Sequence, residues 1–455
     1  MNDPAAATAE PTPPESNGAE PLPSSTRVEG ELPPLMRDGS FWGMSVTQFL
    51  GAFNDNLFKQ LLLLLATPTA VELAAAQAGG AAVRDRQAEA MIVFAVAVLA
   101  FSGIAGWLAD KRSKRWLIIG AKVAEIVVMT LGMIGFMAYG VIGFEGMLVV
   151  LFLMGAQTAF FGPPKYGVLP EMIRDRDLPQ ANGIFLMFTF VAIIFGTVLA
   201  GAIGAEPATA WRGSAVCILI AVVGTATAFM VRKVRPANPD MPLRLSDALV
   251  PPEAIRLITR DRELLYALCA TSSFWLLGSI VQQAVNALGK SQLGLGDGKT
   301  SVMAAMIGVG IPIGCLIGGK ISRGRISPRV VAGGAIGIVI ALLMMSLRAG
   351  PNQHLLGFYG SLPVLVAAGI STGIFLVPIQ VAVQALPPAD EKGRMIALMN
   401  QCNWIGIILG ALIFQATLYL VEAFDQPRNT AFLVGALIFL PIAIFYRPKE
   451  RSLGD

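Results

Sequence analysis

Charge is scarce in this chain. Asp, Glu, Lys and Arg make up 14% of 455 residues, where a soluble domain carries about a quarter. So small a polar set cannot cover a water-soluble protein of this length, and lipid is the expected solvent for most of it. Histidine is scarcer still: His354 stands alone, which argues against a histidine-built zinc centre and a serine–histidine hydrolase. The four cysteines, Cys217, Cys269, Cys315 and Cys402, all fall in apolar runs; they read as small packing residues, not as a disulfide or metal set. No Gly-x-x-x-x-Gly-Lys-Ser/Thr run occurs, so no phosphate-cradling loop couples the chain to ATP. No cofactor and no nucleic-acid partner is expected. The first residues have neither the basic start nor the apolar stretch of a signal peptide. Residues 1–38, rich in Pro, Ala and Glu, read as a disordered cytoplasmic tail.

What is abundant is apolar surface: 55% of the residues are hydrophobic and the mean hydropathy is +0.65. A helix needs about 20 apolar residues to cross a bilayer. Residues 41–446 hold about twelve such runs, near 41–66, 88–108, 116–139, 146–166, 178–204, 212–232, 263–289, 300–320, 330–348, 358–386, 394–421 and 428–446. They show no alternation of period two, which excludes an outer-membrane barrel. The fold class is therefore an all-α membrane protein of twelve transmembrane helices.

Loop charge sets the orientation. With both termini on one side, that side holds 25 of the 34 Lys and Arg residues, against seven on the other. By the positive-inside bias both termini are expected in the cytoplasm. Three landmarks also recur. The stretch from Gly106 to Arg115 is echoed at Gly318–Arg325, Leu169-Pro170 at Leu386-Pro387, and Asn182 at Asn400, at separations of 212, 217 and 218 residues. A shared offset of this size points to a parallel duplication. The expected organisation is a six-helix bundle over 39–232, a Pro-rich cytoplasmic connection over 233–262, a second bundle over 263–446, and a tail over 447–455. Pro252–Glu263 suits a short amphipathic helix on the membrane surface.

Charges inside a bilayer cost about 2.5–3.5 kcal/mol each on insertion scales and mark function by default. The first helix carries Asn54-Asp55-Asn56 and Lys59. Asp55 and Lys59 are four apart on one face, either a self-neutralising pair or a cavity-lining pair for a charged or zwitterionic head group. Lys122 and Glu125 share a face of the third helix, where Lys122 either lines the cavity or snorkels to the interface. Gln282, Gln283 and Asn286, then Gln380 and Gln384, then Asn400, Gln401 and Asn403 place amides in the seventh, tenth and eleventh helices. These amides serve either a polar cavity or interhelical bonding. Pro163 and Pro164 are expected to break the fourth helix and present Lys165 near the cytoplasmic side.

The loop Gly106-Trp-Leu-Ala-Asp-Lys-Arg-Ser-Lys-Arg115 resembles the motif that major facilitator proteins carry between their second and third helices. That resemblance implies two six-helix bundles with a substrate site between them. It also implies a gating role for Asp110, with Lys111, Lys114 and Arg115 as basic companions that stabilise the outward-open state. Ser113 stands where glycine is usual, and Ser322 replaces the aspartate in the second copy, so any latch is asymmetric. Phe49-Leu-Gly-Ala-Phe-Asn-Asp-Asn-Leu-Phe-Lys59, with Phe161-Gly-Pro-Pro-Lys-Tyr-Gly-Val-Leu-Pro170, is similar to the bacterial lysophospholipid transporter family. It is similar too to the transporter portion of fusions with an acyltransferase and an acyl-carrier-protein synthetase. The resemblance implies movement of lysophospholipids, such as lysophosphatidylethanolamine, across the bacterial inner membrane, with membrane lipids as partners and a cytoplasmic acyltransferase downstream. It gives Asp55 the cationic head group and Lys165 an anionic group such as phosphate. The acyltransferase hallmark, histidine with aspartate five residues on, is missing, since Tyr359 follows His354; no enzyme domain is expected. Two other readings fit the same residues. One is a facilitator of a small hydrophobic or charged solute, proton-coupled through Asp55 or Glu125. The other is a non-transporting membrane scaffold or sensor, against which the costly charges of the first helix argue.

Overall fold

The computed structural model describes residues 32–452 apart from 175–176, 235, 237–238, 240–260, 323–324 and 386–391. The expected tail up to residue 31, most of the 233–262 connection with the expected amphipathic helix, and the second Leu-Pro pair lie outside those residues. Twelve apolar helices dominate the described chain: α1 (Gly39–Ala66), α2 (Gln87–Lys111), α3 (Lys114–Met137), α4 (Tyr139–Gly167), α5 (Leu178–Ile203), α6 (Pro207–Ala228), α7 (Arg262–Asn286), α8 (Asp297–Ser322), α9 (Pro328–Met345), α10 (Gly357–Ala385), α11 (Lys392–Ala423) and α12 (Thr430–Phe445). Eleven are long and apolar enough to cross a membrane. The twelfth has 16 residues, about 24 Å of helix against a hydrocarbon core of about 30 Å.

Packing repeats with the chain. In the first six helices, α1 lies on α5 and α6, α2 on α4, and α3 on α4 and α6. In the second six, α7 lies on α11 and α12, α8 on α10, and α9 on α10 and α12. Adding six to each label turns one bundle into the other. The two extensive contacts between bundles, α5 with α8 and α2 with α11, exchange under the same rule.

Helix entry repeats as well. A helix leaves its first backbone N–H groups without internal partners, and an aspartate before it can accept from them. Asp38 accepts from Ser40 N (2.9 Å) and Phe41 N (3.4 Å) and holds Arg232, just beyond α6, through both oxygens at 2.7 Å. Asp261 does the same for α7, accepting from Glu263 N and Leu264 N, while Glu263 pairs with Lys449 beyond α12 at 2.6 Å. The face where α1 begins and α12 finishes is called proximal below, the other distal.

Lipid supplies no hydrophobic drive between helices, so close approach rests on small residues. Gly310 and Gly314 on α8 meet Gly369 and Gly373 on α10. A Cβ at any of the four would overlap the backbone of the other helix.

Several boundaries differ from expectation. The fourth element opens with an extra turn over 139–142. A kink at Gly143, whose φ of 62° L side chains rarely adopt, separates that turn, so the continuous helix does not begin before Gly143 and starts close to the expected 146. Pro163 and Pro164 do not end it: α4 runs on to Gly167. Proline's fixed φ is helical, and near a helix end only two ladder bonds are lost. A short helix, Ala70–Gln77, follows α1, opened by a capping box in which Thr69 and Glu72 bond each other's backbone N–H. Beyond α7 the chain widens into a π-helical turn, Ala287–Gln292. His354 is buried in a small hairpin after α9, its Nε2 2.8 Å from the Met345 carbonyl.

Candidate functional site

The polar residues of α1 divide among its neighbours. Asn54 is buried and donates to Glu125 Oε1 (2.6 Å) and to the Cys217 carbonyl of α6 (2.9 Å). On α3, Lys122 and Glu125 form an ion pair of 2.5 Å with both side chains buried. Gln157 of α4 bonds the Ala121 carbonyl at 3.1 Å and reaches Glu125 Oε2 at 3.5 Å. Gly51 and Gly224 make room for the lysine. A Cβ at Gly224 would stand 2.8 Å from Lys122 Cε, and one at Gly51 3.4 Å from its Nζ. Removing two ions from water costs several kcal/mol each, and the surrounding amides offset part of it. Lys122 thus points into the bundle, not toward the interface.

Asp55 and Lys59 face another way. Both are half-buried, and no ion pair joins them among the described residues. Asp55 Oδ2 accepts from Thr158 of α4 at 3.4 Å, while Lys59 Nζ lies 5.8 Å from the centre of the Phe94 ring on α2. Two opposite charges one helical turn apart are therefore held separate. Asn56 turns back to the Ala52 carbonyl (2.7 Å). Lys165 is half-buried toward the proximal end of α4, 5.7 Å from the Phe161 ring, whose other neighbour at 5.9 Å is Lys122.

The amides of the second bundle do not converge to the same degree. Gln282 and Gln380 are half-buried and Asn400 is exposed. Asn403 accepts from Thr271 and Ser272 of α7 at 3.4 and 3.3 Å. Asn286 is fully buried and engaged elsewhere, as follows.

The two bundles are clasped at the distal face. Gln60 of α1 donates to Asn286 (3.1 Å) and Ser301 (3.4 Å), and Asn286 donates to Gln87 of α2 (2.9 Å). Gln87 also reaches the Gln283 carbonyl (3.3 Å). Asp85, buried just before α2, pairs with Arg428 between α11 and α12 at 3.3 Å. Lys290 donates to the Leu64 carbonyl (2.7 Å) and pairs with Asp297 (3.1 Å), which accepts from Ala205 N (2.7 Å). Ser291 donates to the Pro68 carbonyl at 2.5 Å. Among the described residues, every hydrogen bond or ion pair between bundles lies at this face. Except for Asn286 and the neighbouring Gln283, sequence reasoning missed this clasp. The signal available was a polar cluster, Asp85-Arg86-Gln87, at the mouth of an apolar helix.

At the proximal face Asp110 is exposed and takes no ion pair among the described residues. Lys111 sits over Trp107 at 4.8 Å, Lys114 is buried against Glu171, and Arg115 donates to the Phe229 carbonyl at 2.9 Å. Lys114 and Arg115 thus hold parts of the first bundle to one another, while Lys111 packs on its own helix.

Two repeated six-helix bundles, clasped at one face around a polar membrane interior, define a secondary transporter of alternating-access type. The chain belongs to the Major Facilitator Superfamily, whose family model matches residues 40–411. Among curated relatives it is 26% identical over 389 residues to the lysophospholipid transporter LplT of Pectobacterium carotovorum subsp. carotovorum (strain PC1), covering 83% of this chain and 85% of that one. It is 28% identical over 365 residues to LplT of Salmonella heidelberg (strain SL476), covering 78% and 82%. The nucleoside transporter NupG shares the fold with a TM-score of 0.65 at 13% identity, over 89% of this chain and 98% of that one. A bacterial homologue of the human lysosomal transporter Spinster does so at 0.62 and 13%, over 90% and 96%.

Proposed function

We propose that this chain moves lysophospholipids, such as lysophosphatidylethanolamine, across the bacterial inner membrane by alternating access, with both termini in the cytoplasm. The observation that carries the reading is the pair of half-buried opposite charges on α1, Asp55 and Lys59, held apart from one another, with Lys165 placed further along toward the proximal face. Such groups are costly in lipid unless a ligand or water meets them. A zwitterionic head group supplies both complements. Asp55 takes the ammonium and Lys165 the phosphate, while Asn54, Asn56, Lys59, Lys122 and Glu125 set the polarity around them. Gln282, Gln380 and Asn400 supply the second bundle's share, and Asn286 contributes from the distal end. The names of the relatives support the same substrate class. A cytoplasmic acyltransferase is the natural consumer of the delivered lysolipid. Asp110, with Lys111, Lys114 and Arg115, forms the proximal latch when that face closes.

The test is uptake of labelled lysophosphatidylethanolamine into liposomes holding the purified protein. Asp55→Asn and Lys165→Ala each remove one charge-assisted contact, worth on the order of tenfold in binding, and flux is expected to fall by that order. Full flux in both variants would sink the assignment.

A further inference from the structure

The distal clasp carries more charge than it balances. Arg428 is its guanidinium, and two carboxylates share it: Glu422 at 2.9 Å and Asp85 at 3.3 Å. Glu422 is largely exposed, but Asp85 is buried between the bundles. From α11 and the loop after it, the groups facing Asp85 are Glu422 and Arg428; from α7 the uncharged Gln283 and Asn286 reach this corner through Gln87. On its own segment Arg86 turns away to Glu89 and Glu145, at 2.5 and 2.8 Å. Asp85 otherwise accepts from the Gln87 backbone N–H (3.1 Å) and side chain (3.2 Å).

We infer that closing the distal face takes up one proton at Asp85, so that the clasp is a proton-sensitive gate made by Asp85, Gln87 and Arg428. Two carboxylates against one guanidinium, with Asp85 the buried one, favour the state in which Asp85 is protonated. Protonated Asp85 keeps its acceptor bonds to Gln87 and leaves Arg428 to Glu422. Burial raises the Asp85 carboxyl to about 6, against the opposing pull of Arg428 and Gln87, with Glu422 adding to the rise. Opened to water, the same carboxyl returns to about 4. The closed state thus binds the proton more tightly. Closure is favoured as pH falls from 6 toward 4 and loses that support as pH rises through 6.

The inference rests on alternating access but not on the lysophospholipid substrate, and its test uses no substrate. The full chain, with its four cysteines replaced by alanine and spin labels at Ala75→Cys and Ala423→Cys on the distal face, is placed in lipid nanodiscs. Pulsed electron paramagnetic resonance then gives the closed-to-open ratio. From pH 7.5 to 5 that ratio is expected to rise about tenfold. Asp85→Asn, a stand-in for the protonated group, is expected to be closed and insensitive to pH. Glu422→Gln, at an exposed position, relieves the charge excess and is expected to move the midpoint to lower pH. A ratio that is flat, that falls on acidification, or that rises equally in Asp85→Asn overturns the inference. Where Asp85→Asn does not fold, Glu422→Gln decides, and an unmoved midpoint overturns it.

Discussion

Lys122 and Glu125 show what a residue can and cannot declare from sequence. Their spacing of three placed them on one face of α3, and the pair does form. The spacing of Asp55 and Lys59 is just as suggestive, yet those two part, one toward α4 and one toward α2. Periodicity says which side of a helix a residue occupies; the neighbouring helix decides its partner. Asn54 and Gln157 are available to Glu125 only because α1 and α4 flank α3. Breaking a buried pair leaves one uncompensated charge and costs about 3–5 kcal/mol. Lys122→Met is therefore expected to lower the melting temperature of the purified protein sharply. Adding Glu125→Gln, which still accepts from Asn54, is expected to recover most of the loss. Equal melting of the single and double variants would mean that the ion pair contributes little to stability.

The elements were legible where apolar runs are long and unbroken. Expected and observed bounds agree within a few residues for α1, α2, α5 and α8. They fail where local chemistry overrides hydropathy. Gly143 kinks α4 after a short first turn, and the prolines near its end leave it helical. The helix Ala70–Gln77 is too short to register as a span, although its Thr69-x-x-Glu72 signature is plain in the sequence. Glycine positions can be sorted only with the partner helix in view. Gly314→Val drives a side chain into the α10 backbone, whereas a Cβ at Gly319, five residues on, meets nothing within 4 Å, so Gly319→Val is the matched control. The first is expected to abolish monodisperse, folded protein in detergent and the second to leave it unchanged, as size-exclusion chromatography will show. Equal yields would remove the α8–α10 glycine contact as a cause of packing.

At the scale of the molecule, the duplication was visible as a near-constant offset, and the structure turns it into a packing rule between helices six apart. What the sequence concealed is where the bundles touch. Asp85 meets Arg428 across 343 residues of chain and Gln60 meets Asn286 across 226, and no local pattern announces such meetings. The result is a transporter clasped distally, with its charge concentrated in the first bundle and amides in the second. Leaflet-resolved uptake of labelled lysophosphatidylethanolamine into proteoliposomes, run beside a diacyl phospholipid and a small drug-like cation, tests this most directly. Protein-dependent transfer of the lysolipid alone, lost in Asp55→Asn, is the expected result. Transfer of the small cation with no lysolipid movement would contradict it.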